Sequence, residues 1–139
     1  MNQALREAIA NAVAREPFAQ ALNIRLEALE AGYSRVVMDS EPSRMNNIYQ
    51  RTHGGAIFGL IDEAFETASQ TGGSIAVALN VNVTYMASPE NGSRLIAEAR
   101  EISRSRKISN FDITVTDENG RLIASCRAMA YRTGKPVSL

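Results

Sequence analysis

The sequence predicts an α+β fold: one central helix wrapped by a curved antiparallel sheet of five to six strands, with an extra helix at the N-terminus. Three observations predict it. A long, almost wholly apolar helical run spans Gly54–Gln70. Everything after it reads as strands separated by turn signals. Two more strand-like runs lie between a first amphipathic helix and the apolar one. A buried helix needs apolar cover on most sides, and a strongly curved sheet supplies it.

The elements follow in order. Leu5, Ile9 and Val13 recur at helical spacing, widened by Ala4, Ala8 and Ala12, and Pro17 ends the run. This predicts a surface-packed helix at about residues 2–15, with a short helical turn at Phe18–Leu22. From Asn23 to Leu29, Ile24, Leu26 and Ala28 alternate with polar residues. Ser34–Asp39 carries Val36, Val37 and Met38. These runs predict a strand pair joined near Ala31-Gly32. Ser40–Arg51 is polar, holds Pro42 and Asn46-Asn47, and reads as a loop. Gly54–Gln70 follows as the buried helix, closed by Thr71-Gly72-Gly73. The remaining strands are Ser74–Met86, Arg94–Ile102, Lys107–Thr116 and Leu122–Arg132. Their turns are marked by Pro89-Glu90-Asn91-Gly92 and Asp117-Glu118-Asn119-Gly120. The tail Thr133–Leu139 is expected to fray. A single helix wrapped in this way is the hotdog architecture.

Whole-chain properties narrow the function. At 139 residues the chain is of single-domain size, so residues 1–139 are read as one domain, with a helical segment at 1–22 and a tail at 133–139. Fifteen basic and fifteen acidic residues cancel, which argues against a nucleic-acid partner. One cysteine, Cys126, and one histidine, His53, make a zinc site or an intrachain disulfide untenable. The N-terminus lacks the apolar core of a signal peptide, and no run is long enough to span a membrane. A soluble, cytoplasmic protein with no membrane partner is expected.

The chemistry concentrates in Arg51–Phe65, RTHGGAIFGLIDEAF. Two adjacent acids, Asp62 and Glu63, sit among apolar neighbours, where an unpaired charge is costly. The helix start offers free N–H groups and the positive end of the helix dipole. Glycine at Gly54 and Gly55 allows a substrate carbonyl to approach closely. Those N–H groups suit the oxyanion of an acyl-transfer transition state. Asp62 suits attack on the carbonyl, or activation of water against it. Asn47 is placed to hold that water or the carbonyl. Gly54 and Asp62 lie about 12 Å apart along the helix axis, too far to act on one carbonyl within one chain. If both are catalytic, the helix start of one subunit meets the carboxylate of another, in a two-fold dimer with two composite sites.

Asn47 stands six residues before His53-Gly54-Gly55, Asp62 stands nine after His53, and Phe58 lies between. This pattern resembles the PaaI-type hotdog-fold acyl-CoA thioesterases. Asn80–Pro89 (NVNVTYMASP) and Gly120–Ala124 (GRLIA) are similar to that family's later strands, so the likeness runs from about Asn23 to Arg132. The resemblance implies hydrolysis of acyl-CoA to free acid and CoA. It implies no metal and no cofactor, CoA being part of the substrate. By it, Asp62 is nucleophile or general base, the Gly54 N–H polarises the carbonyl, Asn47 positions water or thioester, and His53 shapes the start of the helix. Gly55, Phe58, Asn80, Asn82, Arg106 and Lys107 are the substrate-binding candidates, the last two as a basic rim for CoA phosphates. A homodimer is implied, commonly paired into a tetramer. Some relatives carry a serine early in the strand after the helix. Here Ala78 or Asn80 falls in that area, so no third polar catalyst is assigned. Other hotdog thioesterases use glutamate in this helix, which leaves Glu63 as the second choice. The competing reading is a non-catalytic hotdog protein that binds acyl-CoA.

Overall fold

The structure, a computed structural model, describes all 139 residues. Two short helices, α1 (Gln3–Val13) and α2 (Pro17–Ala21), open the chain. The Asn2 side chain caps α1 by accepting the Leu5 N–H at 2.9 Å. Strands β1 (Arg25–Glu30) and β2 (Tyr33–Asp39) form a hairpin across Gly32, whose φ of 70° suits glycine. The stretch read as loop contains a one-turn helix, α3 (Pro42–Met45). Pro42 occupies its first turn, where proline is pre-set for helix and no N–H is missed.

The central helix α4 covers Gly54–Gln70. Strands β3 (Ser74–Tyr85), β4 (Arg94–Arg104), β5 (Ile108–Asp117) and β6 (Leu122–Pro136) follow. All six strands join one antiparallel sheet in the order β1-β2-β4-β5-β6-β3. Helix α4 lies against this sheet, with Leu60, Ile61 and Ala64 fully buried and Phe65 edge-on to Phe111 of β5 at 5.4 Å. Phe111, Ile113 and Val115 face the helix and Asp112 and Thr114 face away, as the alternation predicts.

The tail is ordered further than its composition suggests. Strand β6 continues to Pro136, opposite Ser74, and the Val137 N–H reaches the Gly73 carbonyl at 3.0 Å. A bulge between Ser74 and Ala76, with Gly134 at a φ of 82°, lets the two strands stay paired.

The N-terminal segment packs on α4 at one glycine. A Cβ on Gly59 would stand 2.8 Å from Leu22 Cδ1 and 3.0 Å from Phe18 Cζ. Buried hydroxyls in the helix–sheet interface pair with one another, as Ser34 does with Thr67 at 2.7 Å. No helix is long and apolar enough to cross a membrane.

Candidate active site

His53 is the N-cap of α4: its Nδ1 accepts the Gly55 N–H at 3.1 Å, while its carbonyl accepts the N–H of Ala56. The Gly54 N–H has no partner within the chain. It is therefore the free donor at the positive end of a 17-residue helix. Glycine lets Tyr85 pack closely there: a Cβ would stand 3.2–3.4 Å from the end of that side chain, which would have to shift. The Tyr85 hydroxyl donates to the Gly54 carbonyl at 3.0 Å and holds that ring in place.

Asn47 braces the preceding loop. Its Oδ1 accepts the N–H groups of Tyr49 (2.9 Å) and Arg51 (3.2 Å), and its own N–H reaches the Arg51 carbonyl at 2.7 Å. Two backbone donors on one side-chain atom identify that atom as the oxygen. The amide NH₂ of Asn47 is left as a donor. Asn47, Gly54, Arg51 and Tyr85 line one open cavity of about 470 Å³.

Asp62 lies elsewhere. Gly55, Phe58, Asp62 and Glu66 form an exposed stripe along α4, while the rest of the helix's middle is buried. The expectation that Asp62 is deep inside an apolar helix is thus corrected for the single chain. The spacing of these four residues, three or four apart, puts them on the one face the sheet does not cover. Asp62 borders a separate hollow of about 270 Å³ with Phe65, Glu66 and Ala78. Partial burial of its carboxyl raises its pKa above the ordinary value.

Glu63, one position on, is the buried acid, at 1% exposure. Neither of its carboxyl oxygens has a hydrogen-bond partner. Burial, and then the negative charges of Glu16 and Glu66, push its pKa up to about 8.

The other sequence candidates are dispersed. Asn80 and Asn82 bond to each other on the exposed face of β3 and border neither hollow. Phe58, 37% exposed, also borders neither. Arg106 and Lys107 occupy the β4–β5 turn, beside the C-terminal end of α4, where Arg104 lies against Gly72. Within one chain they stand at the far end of the helix from Gly54. Lys107 lies over the Tyr131 ring at 5.1 Å.

Arg51 escaped the sequence reading, and Glu63 entered it only as the second choice to Asp62. Arg51 lines the Gly54 cavity, tied only loosely to Glu90 at 3.4 Å. Glu63 was placed beside Asp62 without a direction. Helical phase carries that signal: Glu63 falls in line with Gly59 and Thr67, both buried, and Asp62 with Phe58 and Glu66, both exposed.

Comparison with known proteins supplies the family. Residues 49–124 match the family model of the Thioesterase superfamily. A relative from Archaeoglobus fulgidus is 34% identical over 116 residues, 82% of this chain and 73% of its own. The acyl-coenzyme A thioesterase PaaI of Escherichia coli is 28% identical over 120 residues, 86% of this chain and 85% of that one. The PaaI structure superposes with a TM-score of 0.91 at 25% identity, covering 96% of each chain. The Streptococcus mutans protein smu.793, solved with acetyl-CoA, superposes at 0.78 with 28% identity, covering 83% of this chain and 92% of that one. The sheet order and the central helix are those of the PaaI fold, and the chain is a thioester hydrolase that belongs to the thioesterase superfamily in its PaaI-type branch.

Proposed function

We propose that the protein hydrolyses acyl-CoA thioesters at two identical sites of a homodimer, each built from Asn47 and Gly54 of one chain and Asp62 of the other. One observation carries the reading. The free Gly54 N–H and the Asp62 carboxylate border two different hollows of one chain, each incomplete alone. Strand β3 supports a partner on that side: it is an edge of the sheet, paired only with β6, and exposes Val77 (48%) and Leu79 (55%). Pairing of two such dimers into a tetramer is part of the proposal.

In this mechanism the thioester oxygen sits at the helix start, with the Gly54 N–H and the Asn47 NH₂ as donors. Asp62 of the facing chain takes a proton from water as the water oxygen attacks the thioester carbon. The oxyanion that forms is stabilised by the Gly54 N–H and the helix dipole, a contribution of about 3–4 kcal/mol per donor. Its collapse breaks the C–S bond. The sulfur leaves as CoA thiolate and takes up a proton. The raised pKa of Asp62 favours this general-base role. No metal or cofactor takes part. Arg51, at the rim of the Gly54 cavity, is the base best placed to meet CoA phosphates, with Arg106 and Lys107 as further candidates at the other end of the helix.

The test is thiol release from a panel of aliphatic and aromatic acyl-CoAs. Turnover of at least one, abolished in Asp62→Asn, is the expected result. Tight binding without release from any of them would replace hydrolysis by simple acyl-CoA binding. Turnover in H₂¹⁸O separates water attack from a covalent route, because only the latter leaves label on the Asp62 carboxyl.

A further inference from the structure

We propose that Glu16, Glu63 and Glu66 form a binding site for a hard divalent cation, which ties the N-terminal helical segment to the central helix. One carboxylate oxygen from each of the three lies within 4.8 Å of the others. That spacing matches oxygens on opposite sides of a Ca²⁺-sized ion, about 5 Å apart at ordinary bond lengths. All three donors are carboxylate oxygens, which select a hard cation over zinc or copper.

Acidic clusters on surfaces are common, but this one has a buried centre. Glu63 is 1% exposed, both of its oxygens lack a partner, and its carboxyl reaches the two other acids. A buried carboxylate left without a donor or a positive charge is rare, because its desolvation goes uncompensated. The groups the chain sets against it are further acids: the Glu16 carboxyl, which can meet it only by sharing a proton, and Glu66. None of its ion pairs involves Glu16, Glu63 or Glu66. The buried hydroxyls nearby satisfy each other or the backbone, as Thr67 does with Ser34 and the Glu63 carbonyl.

Access is provided. Glu16 and Glu66 border a hollow of about 320 Å³ between α1, α4 and the start of β3, which can pass an ion and hold the waters that complete its shell. Glu16 also has a position that gives the site a purpose. It is the N-cap of α2 and the last of the three residues between α1 and α2, immediately before the segment whose Phe18 and Leu22 close on Gly59. A cation shared by Glu16 and α4 would pin that segment down.

The experiment uses the full-length protein, stripped with a chelator and returned to pH 8. Calorimetry with CaCl₂, and MnCl₂ binding followed by electron spin resonance, should show one site per chain. At a hundredfold excess over Kd the melting temperature should rise by about 5–10 °C. Glu16→Gln, at a half-exposed position where folding is not at risk, should weaken binding at least tenfold and remove most of that rise. Glu63→Gln should do the same while melting above the stripped wild type. Two results would overturn the site: no saturable binding by the stripped wild type at millimolar Ca²⁺ and Mn²⁺, or equal binding by Glu16→Gln. In the first case the cluster holds a shared proton instead. None of these readouts depends on catalysis, so they stand or fall apart from the hydrolase reading.

Discussion

Asp62 and Glu63 are consecutive acids on one helix, and the fold treats their two faces oppositely. The Asp62 face runs through Gly55, Phe58 and Glu66, open to solvent in the single chain. The Glu63 face runs through Gly59 and Thr67, closed by α2 and the sheet. One residue step turns a helix by about 100°, enough to exchange a face awaiting a partner for a sealed one. Chemistry needs the first kind of face, because a carboxylate must meet a substrate. The second kind shields a carboxylate from bulk solvent and, in this chain, sets other acids beside it.

The contrast is broken most sharply at Asp62. Asp62→Asn should lower turnover by about 10²–10⁴-fold, as loss of a general base does, with the melting temperature within about 1 °C of wild type. Steady-state thiol release and a thermal melt check both halves. Retained activity would move the carboxylate role away from the open face.

Complementation tests whether the open face is finished by a second chain. Asn47→Ala and Asp62→Asn chains, each inactive, should recover about a quarter of wild-type activity after random mixing. Half the dimers are then mixed, and each mixed dimer has one intact site of two. No recovery after verified exchange would refute the shared site.

The closed face is probed by pH. Glu63 has a folded pKa of about 8 against an ordinary 4.5, with Glu16, Glu66 and Asp62 as the charges around it. The folded chain keeps a proton that the unfolded chain gives up. The stabilisation is full below about pH 4.5 and is lost as pH rises to about 8. In chelator, wild-type stability should therefore decline across that window, by up to about 1.4 kcal/mol per pH unit. Glu63→Gln should flatten the decline and Asp62→Asn should leave it largely intact. Denaturant melts at several pH values decide. The smallest effect belongs to Gly59→Ala, which crowds Leu22 and Phe18 but gains about 1 kcal/mol of helix propensity, for a net destabilisation of at most about 2 kcal/mol.

Much of this was legible in the chain itself. The bounds of the central helix are read to the residue, because apolar periodicity and Gly54 and Gly72-Gly73 act locally. The β5–β6 turn is legible for the same reason: Asp117 Oδ1 accepts the N–H groups of Asn119 and Arg121 and builds the turn from its own side chain. The tail was misjudged because its order comes from β3, some sixty residues away, through pairs such as Ser74 with Pro136. The loop before α4 hid a helical turn because α3 is one turn long, too short for a periodic pattern.

By itself the sequence determined the elements, the helix start with its free glycine N–H, and the family pattern of Asn47, His53-Gly54-Gly55 and Asp62. These depend on near neighbours, on spacing and on backbone groups that every helix start leaves unpaired. Only the tertiary structure decided which acid is open and which is sealed, that Asn47 spends its oxygen on its own loop, and that Glu16 meets Glu63 and Glu66. Those facts rest on how α2 and the sheet close on α4, through contacts between residues far apart in the chain.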